Sequence, residues 1–156
     1  MIDAPPMIDA PILIDAPPVD LCPGPSTCQT APMLGSIGGD TGSDKLTAMG
    51  HQSAWFRVRV TEDSINSIPL RLSAKLTSPA AVDFDVFLYV NVGTDAVECT
   101  TRVGTTTTSG SVDTTRAVWG DTGFSGDDRY VSIEVRPVSG TCATSQTWQL
   151  EIIGNT

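Results

Sequence analysis

The residues that could do chemistry are few and mostly acidic. The tetrapeptide Gly-Asp-Thr-Gly occurs twice, at 39–42 and 120–123, so Asp40 and Asp121 hold equivalent places. Further acid follows each copy, Asp44 after the first and Asp127 and Asp128 after the second. Ca²⁺ takes roughly six to eight hard oxygens, and Gly-rich acidic loops supply carboxylates and carbonyls together. Asp83 and Asp85 lie two residues apart on one strand face and would join the set if the fold brings these loops together. Neither loop has EF-hand spacing. The bland reading of the same aspartates is as turn residues bonding their own backbone.

Catalytic constellations are sparse. A Ser-His-Asp triad would have to use His51, the single histidine, as its base. The G-x-S-x-G elbow is absent, since Gly123-Phe-Ser125-Gly126 lacks the spacing. Asp83 and Asp85 could serve glycoside hydrolysis only in a cleft that splits their pKa values. A phosphate cradle at 35–42 fails for want of Gly-Lys-Ser/Thr and a following helix. The expectation is therefore a non-catalytic chain. A small secreted hydrolase working through His51 or Asp85 is the alternative, and a ligand-free spacer domain a third reading.

The elements that must position these groups are strands. Phe56, Val58 and Val60 alternate with Arg57 and Arg59, and Leu70, Leu72, Ala74 and Leu76 alternate with polar neighbours. Phe84, Val86 and Leu88 alternate with Asp85, Phe87 and Tyr89; Val131, Ile133 and Val135 with Ser132 and Glu134; Trp148, Leu150 and Ile152 with Gln149 and Glu151. Weaker strand candidates are 45–50, 105–109 and 115–120. A period of two with turn-rich connections and no capped amphipathic helix predicts an all-β fold. One dry face per strand over about eight strands makes it a two-sheet antiparallel, jelly-roll-like β-sandwich. Trp55, Phe87, Tyr89 and Tyr130 would share its outer face as an aromatic platform for an extracellular protein or glycan. A central strand covered by a loop explains the same pattern.

The first 32 residues read differently. Ile-Asp-Ala-Pro recurs at a period of six through residue 18, and every aromatic residue lies after position 54. Each Pro fixes φ and removes a donor, which favours an extended polyproline-like spacer, about 55 Å long over 18 residues. The expected organisation is a Pro-rich tether over 1–32 and a sandwich over 33–156. The formal net charge of −9 argues against nucleic acid and anionic membrane surfaces as partners. No apolar run is long enough for a membrane span, and a monomer is expected. Cys22, Cys28, Cys99 and Cys142, without a C-x-x-C step, suggest two disulfides and an extracellular or cell-surface location. Locality favours Cys22–Cys28, which leaves Cys99–Cys142. No basic-then-apolar leader opens the chain, so export would be signalled upstream of Met1 or by a leader already removed.

Ser53-Ala-Trp-Phe-Arg-Val58, Asp83-Phe-Asp-Val-Phe-Leu-Tyr89, Arg129-Tyr-Val-Ser-Ile-Glu-Val135, Ser139-Gly-Thr-Cys142 and Trp148-Gln-Leu150 together resemble the bacterial pre-peptidase C-terminal (PPC-like) domain. The Ile-Asp-Ala-Pro tail resembles the tethers of bacterial surface lipoproteins. The resemblance implies a jelly-roll-like, non-catalytic module assisting secretion, anchoring or binding, in some relatives with Ca²⁺. The sequence departs from that pattern in having no protease domain in this chain and in its cysteine pair at 99 and 142.

Overall fold

The structure, a computed structural model, describes residues 22–93, 97–105, 110–120 and 126–156. Those residues form nine strands: β1 (Met33–Gly38), β2 (Lys45–Gly50), β3 (Ala54–Thr61), β4 (Leu70–Thr77), β5 (Val82–Val90), β6 (Arg102–Thr105), β7 (Val112–Trp119), β8 (Arg129–Gly140) and β9 (Trp148–Gly154). One sheet has the order β1-β3-β8-β5-β6 and the other β2-β9-β4-β7. The expected all-β sandwich is the observed fold. Most of the expected tether, residues 1–21, lies outside the described residues.

Alternation places the core between the sheets. Leu70, Leu72, Ala74 and Leu76 of β4 are all 0% exposed, as are Val58 and Val60 of β3. Phe84, Val86 and Leu88 of β5, with Val131, Ile133 and Val135 of β8, meet them from the five-stranded side. Trp148, Leu150 and Ile152 of β9 complete the packed layer. Each fully buried side chain of this kind contributes about 1.5–3 kcal/mol relative to exposure. The two-residue period is thus the main energetic instruction in the sequence.

Sequence periodicity missed β1. Met33-Leu-Gly-Ser-Ile-Gly does not alternate cleanly, and its glycines weaken the strand signal. Nevertheless it pairs with β3, and this pairing is parallel in an otherwise antiparallel sandwich. Gly154, at the end of β9, makes the junction close. A Cβ there would lie 2.0 Å from the Gly38 carbonyl oxygen, so only glycine admits β1 beside β9.

The disulfide pairing differs from the local one. Cys22 bonds Cys142 and Cys28 bonds Cys99, with Cα separations of 6.0 and 5.9 Å. The reason is the extended course of residues 24–28 along β3. The Gly24 N–H donates to Ser53 Oγ, the Trp55 N–H to Ser26 Oγ, and Arg57 Nη2 to the Cys28 carbonyl. Each partner lies 29 residues further along the chain, so the segment advances in step with the strand. Six residues at strand rise hold the two cysteines about 20 Å apart, far beyond disulfide reach. Residues 22–32, assigned with the tether by composition, therefore lie on the sandwich. Taken singly, the loops of 120 and 71 residues contribute about 4.9 and about 4.4 kcal/mol on the chain-entropy account. Non-reducing proteolysis with mass mapping should recover peptides joined through Cys22–Cys142 and Cys28–Cys99. Recovery of a Cys22–Cys28 loop would overturn this connectivity.

Candidate functional site

The outer face of the five-stranded sheet carries the expected aromatic residues. Register places Trp55 opposite Glu134 and Glu134 opposite Phe87, while Arg57, Ser132 and Tyr89 form the next row. Arg59 and Tyr130 follow. Trp55, Phe87, Tyr89 and Tyr130 thus share a face, but not as an open platform. Phe87 is 4% and Tyr89 2% exposed. The Arg102 and Arg136 guanidiniums cover the Phe87 ring at 4.3 and 5.0 Å from its centroid. Tyr89 donates to Glu134 Oε2 at 2.6 Å, and burial followed by that bond pushes its phenol up. Small Ser132, at the centre of the face, lets the Trp55 and Tyr89 rings meet across β8 with centroids 5.3 Å apart. Only Trp55 and Tyr130 stay partly open, and Arg59 lies 4.7 Å from the Tyr130 ring centroid.

A cystine-bound loop closes this face. Glu98 is the hub: its carboxylate accepts from the backbone N–H groups of Thr101, Thr100 and Cys99 and from the Thr100 hydroxyl. Those donors, led by the Thr101 N–H, hold its pKa down to about 2. The folded loop presents Cys99 to Cys28.

Among the described residues, the expected metal carboxylates form no group of three or more that could hold a metal ion. Asp40 accepts the backbone N–H groups of Asp63 and Ser64, 23 and 24 residues along the chain, and so ties its loop to the segment after β3 rather than closing a local turn. Asp44 is exposed, while its carbonyl receives the Gly154 N–H. Asp128 accepts the Glu62 N–H and pairs with Arg59 at 3.0 Å. Asp127 pairs with Arg129 at 3.3 Å. Asp121 lies outside the described residues.

Asp83 and Asp85 meet a carboxylate that sequence reasoning did not single out. Asp113 of β7 is 0% exposed, and with Asp83 it faces Asp85 electrostatically. Burial, then Asp113, then Asp83 push the Asp85 pKa up to about 6, against the lowering effect of Arg136. Burial and Asp113 also raise Asp83. Asp113 was hidden because Val112-Asp-Thr-Thr reads as a polar run until β7 is paired.

A second feature absent from the sequence reading is an apolar groove of about 330 Å³ between residues 25–32 and the β2–β3 connection. Pro25, Pro32, Met49, His51, Phe56 and Trp148 line it. Trp148 forms the base, its indole donating to the Gln52 carbonyl at 2.9 Å and meeting Phe56 edge-on at 6.0 Å. Gly50 makes room for that indole: a Cβ there would stand 2.5 Å from it. Hydrogen bonds from Ser53 to Cys22 and from Gly24 to Ser53 fix the opposite wall. Ser26 and Ser53 accompany His51 in the lining, which contains no carboxylate.

No family model matches the chain, and no curated protein matches it. Among solved structures it is similar to the pre-peptidase C-terminal domain of a collagenase from Bacillus anthracis. The identity is 11% and the TM-score 0.38, over 75% of this chain and 91% of that one. The architecture described above rests on this chain's own strand pairing.

The carboxylate trio makes stability depend on pH in a defined direction. Because the folded-state pKa of Asp85 lies above its ordinary value, the folded protein takes up the proton first. Stability therefore falls as pH rises from about 4 through 6. Asp85→Asn should flatten most of that slope, leaving the part due to Asp83, and raise stability at pH 7.5 by about 1 kcal/mol after solvent screening. Its gain over wild type should vanish near pH 4. Thermal melts across this range check the expectation, and an Asp85→Asn protein that melts lower at pH 7.5 contradicts it.

Proposed function

We propose that the chain is a non-catalytic extracellular binding module whose contact surface is the groove over Phe56 and Trp148. The observation that carries this reading is the groove's construction. Apolar side chains line it, and its wall is pinned by both disulfides, so little ordering cost attends occupation. Two disulfides joining distant segments support an oxidising compartment. His51 lies beside serines without a lining carboxylate to orient it, an arrangement suited to contact rather than to nucleophilic catalysis.

The hydrophobic dye ANS tests the surface directly. The native, oxidised chain should bind it saturably with a blue-shifted emission. Met49→Glu should weaken binding tenfold or more without moving the melting temperature, because Met49 is 72% exposed. Native protein that ignores the dye, or a variant that binds it unchanged, sinks the proposal.

Calcium enters the reading through the acidic loops. Asp40, Asp127 and Asp128 are engaged by backbone N–H groups and arginines, so millimolar Ca²⁺ and Mg²⁺ should give the same melting temperature. Native-state binding at a hundredfold over the dissociation constant would stabilise by about 2.7 kcal/mol. A Ca²⁺-specific rise of several degrees would make the module calcium-stabilised.

A further inference from the structure

The two disulfides are nested, and the nesting determines how tension crosses the molecule. Cys142, between β8 and β9, lies 120 residues beyond its partner Cys22. Tension arriving from the N-terminal side leaves the backbone at Cys22, crosses the sulfur–sulfur bond and re-enters at Cys142. Only residues 143–156 then separate it from the C-terminal end of the chain. Half of that path is β9, already extended in the middle of its sheet. Six register pairs hold β9 to β2 and six hold it to β4.

We propose that the Cys22–Cys142 disulfide is a mechanical bypass, so that a load applied through the two ends of the chain runs along β9 and leaves β1–β8 out of its path. The groove wall at residues 25–32 and the covered aromatic face, which lie within the bypassed loop, stay folded while the molecule is under tension. This holds whatever the groove binds. Cys28–Cys99, with a separation of 71 residues, is the reserve. If the outer bond is missing, load crosses from Cys28 to Cys99, and residues 23–28 and 100–156 join the path.

Geometry favours this arrangement beyond the covalent link. A strand pulled along its own axis between two antiparallel neighbours loads its ladder bonds together. A strand peeled sideways breaks them singly. Segment 24–28, which would otherwise be first to strip from β3, lies inside the bypassed loop.

Single-molecule stretching of the full chain, with handles at residues 1 and 156, tests the proposal. Beyond the contribution of residues 1–21, common to every trace, the oxidised wild type should release no more than about 5 nm of contour before the handles rupture. Cys28→Ser/Cys99→Ser should behave the same way. Cys22→Ser/Cys142→Ser should release about 23 nm, and loss of all four cysteines about 48 nm. A release of about 23 or 48 nm from the oxidised wild type overturns the proposal. So does a release limited to about 5 nm in Cys22→Ser/Cys142→Ser. If that variant fails to fold, the oxidised wild type and Cys28→Ser/Cys99→Ser decide the matter alone.

Discussion

β5 and β8 bury side chains on both faces, and much of the structure follows from keeping water off the outer one. A two-layer sandwich offers no third layer for that purpose. Here the cover comes from irregular chain: residues 22–32 along β3 and the Glu98 loop, joined by Cys28–Cys99. Irregular chain has little core of its own, so covalent bonds and side-chain hydrogen bonds must hold it. The covered face is polar enough to require matched partners. Glu134 receives the Tyr89 hydroxyl and Arg136 together, and guanidiniums sit over the Phe87 and Tyr130 rings.

That arrangement explains the use of charge. The chain is acidic, yet four of its arginines, Arg57, Arg59, Arg102 and Arg136, are spent on this one face. They contact a carbonyl, a carboxylate and aromatic rings of the same molecule, which fits a structural use better than phosphate recognition. The carboxylates divide in the same way. Asp40 and Asp128 anchor loop backbone, whereas Asp85 is held near its neighbours at an electrostatic cost that protonation relieves.

Much of this was legible in the sequence. Two-residue alternation located β3, β4, β5, β8 and β9, because burial on one face writes itself directly into residue order. It could not locate β1, where glycines permit close approach and leave little hydrophobic signature. Nor could it pair the cysteines, since locality assumes a flexible segment and residues 24–28 follow a strand. The aromatic residues were assigned to the correct face, but whether a loop covers that face depends on long-range contacts. The groove escaped for a related reason: Trp148 and Phe56 read as inward core residues. Only the three-dimensional meeting of Pro25, Pro32 and Met49 with them makes an opening.

Nested cystines also impose an order on biosynthesis. A ribosome delivers these cysteines as 22, 28, 99 and 142, and N-terminal parts fold first as they emerge. The inner pair is complete once residue 99 has appeared. The outer bond waits for Cys142, after eight of the nine strands exist. Cys22 must therefore remain uncommitted until residue 142 has been made, with Cys28 only six residues away. The last covalent closure then seals a nearly finished sandwich, so a formed Cys22–Cys142 bond is a mark that the chain has been made through its eighth strand.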